Sequence, residues 1–388
     1  MRVDLLSSVG GGPIERLAKA LHEKGIDSRM VSGVSAESWR RSSSAGRWGH
    51  LSVRLQGMII FPIRAILQLA ARRPDVAIVT TNPFFLPLLI VATKWLHRSR
   101  VVALIYDLYP DALEGAGLAT KHGWLSRTTQ SANRRLFAKA DSVVFIGRVM
   151  GAHARSRYGE PRSWSVFETG ADAKQFETGS RQAARDESFA KWRSGAVLFG
   201  YIGNMGNLHD WETLGLGLQR LDQVANLKAR FLIAASGPGA VALRKMCPGM
   251  DEMVRFEEPL DDAAWAIALR EIDVAIVTLR DEARSASVPS KMFSAMAAGS
   301  AILAVAPKGS DVASLVMTTS SGVVIEPGDD EGFARTVRLF CEDGNMLEGL
   351  RANAGRASKS LFEITVLADR WIEMLHSILS NVTVNSNS

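Results

Sequence analysis

The sequence predicts an α/β protein of two successive Rossmann-like parallel-sheet domains, and three observations carry that prediction. Continuous apolar runs of strand length alternate with helical patterns along most of the chain. Glycine-rich turns follow several of those runs, where a strand would hand over to a helix. The alternation stops once, at the polar stretch "TGSRQAARDESFAKWRSG", and then restarts. At 388 residues the chain also exceeds one comfortable core.

The elements follow in order. "MRVDLLSS" reads as a first strand. Gly10, Gly11 and Gly12 come next, then Pro13 at a first helical position, with Ile14, Leu17, Ala18 and Leu21 at helical spacing until Gly25. "DVAIVTT", "RVVALIYDL" and "ADSVVFIG" are apolar throughout, the pattern of strands buried on both faces. "PFFLPLLIVATKWLHR" between the first two reads as a crossover helix. After the polar stretch, "AVLFGYIG", "ARFLIAASG", "DVAIVTL" and "AILAVAP" are strands. "DWETLGLGLQRL" and "DDAAWAIALREI" are helices between them. The expected division is 1–178 for the first domain and 195–362 for the second. A last helix over 363–380 could return to the first domain, and 381–388 would be a mobile polar tail.

Composition limits the function. Apolar content of 47% and charged content of 22% describe a globular protein. Cys247 and Cys341 form neither a disulfide framework nor a zinc spacing, which favours a reducing cytoplasm. The residues after Met1 lack the apolar core of a signal peptide, and no apolar run is long enough to span a bilayer. Net charge is +6, yet residues 1–175 carry 25 basic and 13 acidic side chains while the remainder carries 21 and 27. A basic first half suits a membrane surface, nucleic acid or a phosphorylated ligand, or serves solubility alone. Its basic residues are not interleaved with an aromatic platform, so nucleic acid is not expected as a partner. "WGHLSVRLQGMIIFPIRAILQLAARR", with Arg54, Arg64, Arg72 and Arg73, could be a membrane-surface face or a core helix with solvated arginines.

In open parallel sheets, ligands bind at the carboxyl ends of strands, and two such domains facing each other would leave a cleft. Gly11 and Gly12 could bring backbone N–H groups to a phosphate or serve only a chain reversal. No third glycine completes a dinucleotide fingerprint, so a nicotinamide cofactor is not expected. Gly203, Asn204 and Gly206 repeat the device, with Asp210 as a helix cap and His209 either a phosphate donor or solvated. Gly237, in "ASGPG", could wall a base or ribose. Glu257 and Glu258 could accept ribose hydroxyls or form a solvated acidic loop. In "SVPSKMFSAMAAGSAILAVAP", Pro289 fixes a helix entry and Ser290 would form an anion cup with the first free N–H groups. Lys291 would add a full charge, and the small apolar residues after it suggest a buried helix rather than a surface one. Asp107, at the tip of a first-domain strand, could position a substrate or cap the following turn.

These motifs together resemble the retaining, nucleotide-sugar-dependent glycosyltransferases of the GT-B fold, family four. "PSKMFSAMAAGSAILA" is similar to that family's donor signature, "YIGNMG" to its Tyr-x-Gly loop, "ASGPG" to its Gly-x-Gly-Pro turn and "ETGADAKQF" to its linker. "YDLYPDAL" is similar to a stretch of the branch that builds bacterial surface polysaccharides. The cysteine usage places such an enzyme in the cytoplasm, and the basic first half could hold it peripherally on the membrane's inner face. The resemblance implies transfer of a sugar from a nucleotide-diphosphate sugar to a saccharide or polyprenyl-linked acceptor with retention; no Asp-x-Asp metal motif occurs in the sequence, and no metal or other cofactor is expected. It also marks departures. Asn204 and His209 stand where the family commonly places Arg and Lys, Ala286 and Ser294 stand for two glutamates, and Thr169 replaces the linker Asn. Lys291 is then the clear cation left for the diphosphate. A non-catalytic relative serving as a binding or assembly subunit is the rival reading, with a sugar-nucleotide epimerase behind it.

Overall fold

Strands β1 (Arg2–Val9), β2 (Asp27–Val34), β3 (Val76–Thr80), β4 (Arg100–Ile105), β5 (Ser142–Phe145) and β6 (Trp164–Val166) build one parallel sheet. Strands β7 (Val197–Asn204), β8 (Ala229–Ser236), β9 (Val254–Glu257), β10 (Val274–Thr278), β11 (Ala301–Val305) and β12 (Gly322–Ile325) build a second. β13 (Asn385–Ser386) joins the first at the β6 edge. This computed structural model describes residues 1–35, 38, 55–176, 187–380 and 385–386. The chain divides into two units: Met1–Thr169 with Ser285–Val288 and Ile364–Ser388, and Gly170–Arg284 with Pro289–Glu363.

In the first unit the strand order is β13-β6-β5-β4-β3-β1-β2. Every residue of β3 is buried, as its unbroken apolar run requires of a strand covered on both faces. Helix Gly12–Glu23 buries Ile14, Leu17, Ala18, Ala20 and Leu21, the stripe its spacing predicts. The last helix, Ile364–Leu379, belongs to the same unit. Its Trp371 is 3% exposed and packs at a tilt against Phe167, ring centroids 5.1 Å apart, while Asp369 accepts from Lys24 at 2.6 Å.

The second sheet runs β12-β11-β10-β7-β8-β9. Its core is aromatic: Phe199 stacks on Phe231 at 5.0 Å and on Phe340 at 6.3 Å. Leu214, Leu218, Phe333 and Val337 cover that face.

Four details differ from the sequence reading. The crossover helix is two helices, Leu86–Ala92 and Lys94–His97, separated at Thr93, whose hydroxyl bonds back to Leu89 O at 2.9 Å. β2 carries no apolar run because it is an edge strand with mixed burial. The units part at Thr169–Gly170 instead of near 178, since Phe167 N still bonds Phe145 O whereas Ala171 N bonds Phe362 O, each at 2.9 Å. Finally, the polar tail, in which the sequence suggested no strand, supplies Asn385 and Ser386 as parallel partners of Trp164 and Ser165.

Candidate functional site

The second sheet reverses its direction of growth at the β7–β10 boundary. From β7 the chain adds β8 and β9 on one side, then returns to place β10 on the other. Such a switch point leaves the loops after its two central strands free to hold a ligand. The end of β7 and the loop after it carry Gly203, Asn204, Gly206 and His209. It is tied to the end of β10: His209 Nδ1 lies 2.7 Å from Thr278 O, and Arg280 N donates to Leu208 O at 2.9 Å.

Lys291 opens the helix Lys291–Ala297 and reaches back to this strand end. Its half-buried ammonium donates to Tyr201 Oη and to Asn204 O, the latter at 2.9 Å, and Nζ sits 3.9 Å from the Tyr201 ring centroid. Burial pushes its pKa down to about 7. The group therefore loses part of its charge near neutrality unless an anion restores it.

His209 faces a carbonyl through Nδ1, so that nitrogen carries the proton and Nε2 presents a lone pair. Burial first, and then the charge of Lys291, push its pKa down to about 3. In this state it accepts at Nε2 rather than donating to a phosphate. Asp210 is a cap: Oδ1 accepts from Thr213 N at 3.0 Å and Oδ2 from Thr213 Oγ1 at 2.5 Å.

The glycines have definite tasks. Gly203, at φ 117, turns the end of β7 through a conformation other residues avoid. At Gly237 a Cβ would stand 2.7 Å from Asn204 Oδ1 and 2.8 Å from Met205 O, so this turn packs directly against the loop. A Cβ on Gly206 would be 3.2 Å from Asn204 Nδ2, which puts the exposed Asn204 amide beside both turns.

Other candidates are placed differently. Glu258 is exposed beyond β9, two strands from β7 or about 10 Å across the sheet. Glu257 pairs with Arg255 at 3.2 Å. Pro289 is buried, Ser290 half-buried and Ser294 4% exposed. At the expected anion cup, two of the first amides are engaged within the turn. Met292 N and Phe293 N bond Pro289 O and Ser290 O at 3.3 and 3.2 Å, and the helix has only seven residues.

In the first unit, Gly11 and Gly12 follow β1, which lies between β3 and β2 at that sheet's own switch point. Asp107 follows β4. Its Oδ1 accepts from Ser287 Oγ at 2.8 Å and Leu108 N donates to Ala286 O at 2.9 Å, so Asp107 ties down Ser285–Val288 and does not cap the next turn. Burial raises its pKa, against the Ser287 hydrogen bond.

Sequence reasoning missed Tyr201 and Arg280. A tyrosine in an otherwise apolar strand was the available signal, because a buried phenol needs a partner. Arg280 stacks on Trp211 at 4.3 Å, pairs with Glu212 and donates to His209 O at 3.2 Å. No group of three or more His, Cys, Asp and Glu side chains arranged for a metal ion occurs among the described residues.

Two family models match the chain: Glycosyl transferase 4-like domain over residues 13–170 and Glycosyl transferases group 1 over residues 197–343. A probable glycosyltransferase, WbjE of Pseudomonas aeruginosa, is 30% identical over 279 residues, covering 70% of this chain and 67% of that one. Among solved structures, Anabaena HepE in complex with UDP and glucose superposes with a TM-score of 0.70 at 14% identity, over 97% of this chain and 100% of that one. A glycosyltransferase from Rickettsia africae gives 0.67 at 13% identity, over 98% and 99%. These similarities identify the fold as GT-B.

Proposed function

Because this chain belongs to the group 1 glycosyltransferases, we propose that it moves a sugar from a nucleotide-diphosphate sugar to a saccharide or polyprenyl-linked acceptor. In this reading the reaction retains anomeric configuration, needs no metal ion, and serves cell-surface polysaccharide assembly in the cytoplasm.

The observation that carries the reading is the Lys291 ammonium at the switch point, held by oxygen acceptors with no carboxylate bonded to it among the described residues. As the anomeric bond breaks, the departing nucleoside diphosphate gains negative charge. A fixed cation in partly dehydrated surroundings stabilises that charge more than it stabilises the bound donor. The HepE structures contain UDP and UDP-glucose, which supports a nucleoside diphosphate as the leaving group. Asn204 Nδ2 adds an uncharged donor where the family commonly has a cation. Asp107, anchored by Ser287, orients the acceptor or the transferred sugar.

A membrane-surface role has its own support. Leu55, Ile59, Ile63 and Leu67, each four residues from the last, are 49%, 55%, 57% and 64% exposed along one helical stretch. Trp95, on the adjacent helix Lys94–His97, is 75% exposed, and Arg64 and Arg73 are exposed nearby. An apolar stripe rimmed by arginines fits an anionic lipid surface carrying a lipid-linked acceptor. Arg72 does not contribute, since it pairs with Asp4 and Asp27; Arg54 lies outside the described residues. No helix among the described residues is long and apolar enough to cross a membrane.

The test is a thermal-shift screen against nucleotide-diphosphate sugars, followed by transfer assays with the best donor in excess EDTA. A ligand selective for the native state raises the melting point. The reading requires at least one stabilising donor, turnover that survives EDTA, and loss of both binding and turnover in Lys291→Ala. A chain that binds no nucleotide sugar would refute it.

A further inference from the structure

Lys291 has three ammonium protons, and two are committed within the protein. One goes to Tyr201 Oη and one to Asn204 O at 2.9 Å. Tyr201 Oη itself donates to that same carbonyl at 3.1 Å, which leaves its lone pairs to receive Nζ. The tyrosine ring adds a second hold, with Nζ 3.9 Å from its centroid. Tyr201 is rigid where lysine is not. It is 0% exposed and packed with Phe199, Met205 and Leu214 in the core of the second unit.

We propose that Tyr201 is a positioning residue, whose ring and hydroxyl fix Lys291 Nζ at the end of β7 so that one ammonium proton is left for a phosphate oxygen of the donor. This rests on the donor role proposed above for Lys291. Placement matters here because neighbouring cationic groups are not available to compensate. His209 presents a lone pair at Nε2, and Arg280 is engaged by Glu212 and His209 O. A four-carbon lysine stem without the phenol would spread its charge over several rotamers.

Tyr201→Phe keeps the ring and its packing but neither accepts from Nζ nor donates to Asn204 O. In the full-length chain, the dissociation constants of UDP, ADP and GDP are measured by calorimetry for wild type, Tyr201→Phe and Lys291→Ala. The ammonium 1H–15N correlation of Lys291, assigned by its absence in Lys291→Ala, is recorded at pH 6. We expect Tyr201→Phe to weaken the tightest of the three nucleotides by about tenfold and to broaden the ammonium signal, with a near-wild-type melting point. Unchanged affinity and an unchanged signal in Tyr201→Phe, with binding lost in Lys291→Ala, would overturn the role of Tyr201 alone. Binding that survives Lys291→Ala would instead overturn the donor reading beneath it. Should Tyr201→Phe not fold, wild type carrying 3-fluorotyrosine replaces it, because the fluorinated phenol is the poorer acceptor. Of the four tyrosines, Tyr106, Tyr109 and Tyr158 belong to the first unit. The fluorinated protein must show weaker nucleotide binding; undiminished affinity refutes the proposal.

Discussion

His209 Nδ1 stands 2.7 Å from Thr278 O, a contact that helps join the loop after β7 to the end of β10 and fixes the proton of the neutral imidazole on Nδ1. Its pKa, pushed down to about 3, puts protonation far below the ordinary range. The ring carbon shifts of His209 are therefore expected to stay constant from pH 8 to pH 5 in the free protein. A transition near the usual histidine value of about 6.5 would contradict the assignment.

Lys291 is also pushed down by burial, to a pKa of about 7. Anion binding favours the protonated amine, so proton uptake accompanies nucleotide binding above that value. UDP affinity is expected to fall between pH 7 and pH 9 by up to about tenfold per unit. Calorimetry in buffers of different ionisation enthalpy reads the uptake directly. For stability the sign is reversed from that of a paired lysine. The folded pKa lies below the unfolded one, so the unfolded chain holds more protons between them, and stability from this group rises with pH across that window. Lys291→Met should therefore raise the melting point at pH 7, with the difference shrinking toward pH 10.

Asp107 and Ser287 predict a smaller effect. Burial raises the Asp107 pKa, so its ionised form is a net cost at neutral pH, partly offset by the Ser287 hydroxyl. Stability from such a group is present below its unfolded pKa and lost as pH rises through the folded one. Ser287→Ala should cost about 1–2 kcal/mol at pH 7, whereas Asp107→Asn should cost little. Urea unfolding separates the two.

Asp111 is the stronger anchor of the first unit. Burial alone would raise its pKa, but hydrogen bonds from His153 and Tyr158 and the charge of Arg157 outweigh it and hold the carboxyl below the usual range. Asp111→Ala leaves the half-buried Arg157 with Glu114 alone and the buried Tyr158 hydroxyl without its acceptor, and should cost about 1–3 kcal/mol. Wild-type stability from this group is lost as pH falls below the ordinary carboxylate range, which acid unfolding of the two proteins would show.

Ile59→Glu combined with Ile63→Glu tests the exposed stripe. Both side chains face solvent, so the melting point should change little. Flotation with vesicles containing anionic lipid should fall to background; equal flotation of variant and wild type would argue against this surface.

The sequence by itself determined the alternation of buried strands and helices, the restart that makes two sheets, and the turns at Gly203 and Gly237. Local rules suffice there, because strand burial, helical spacing and left-handed turns are written in consecutive residues. It also determined that Lys291 should stand at a helix start. What only the tertiary structure decided is which groups share space. Tyr201 meets Lys291 across 90 positions, His209 reaches Thr278 across 69, and Ser287 reaches Asp107 across 180. The protonation of these side chains follows from burial and partners supplied by distant segments, and a linear pattern carries no record of either.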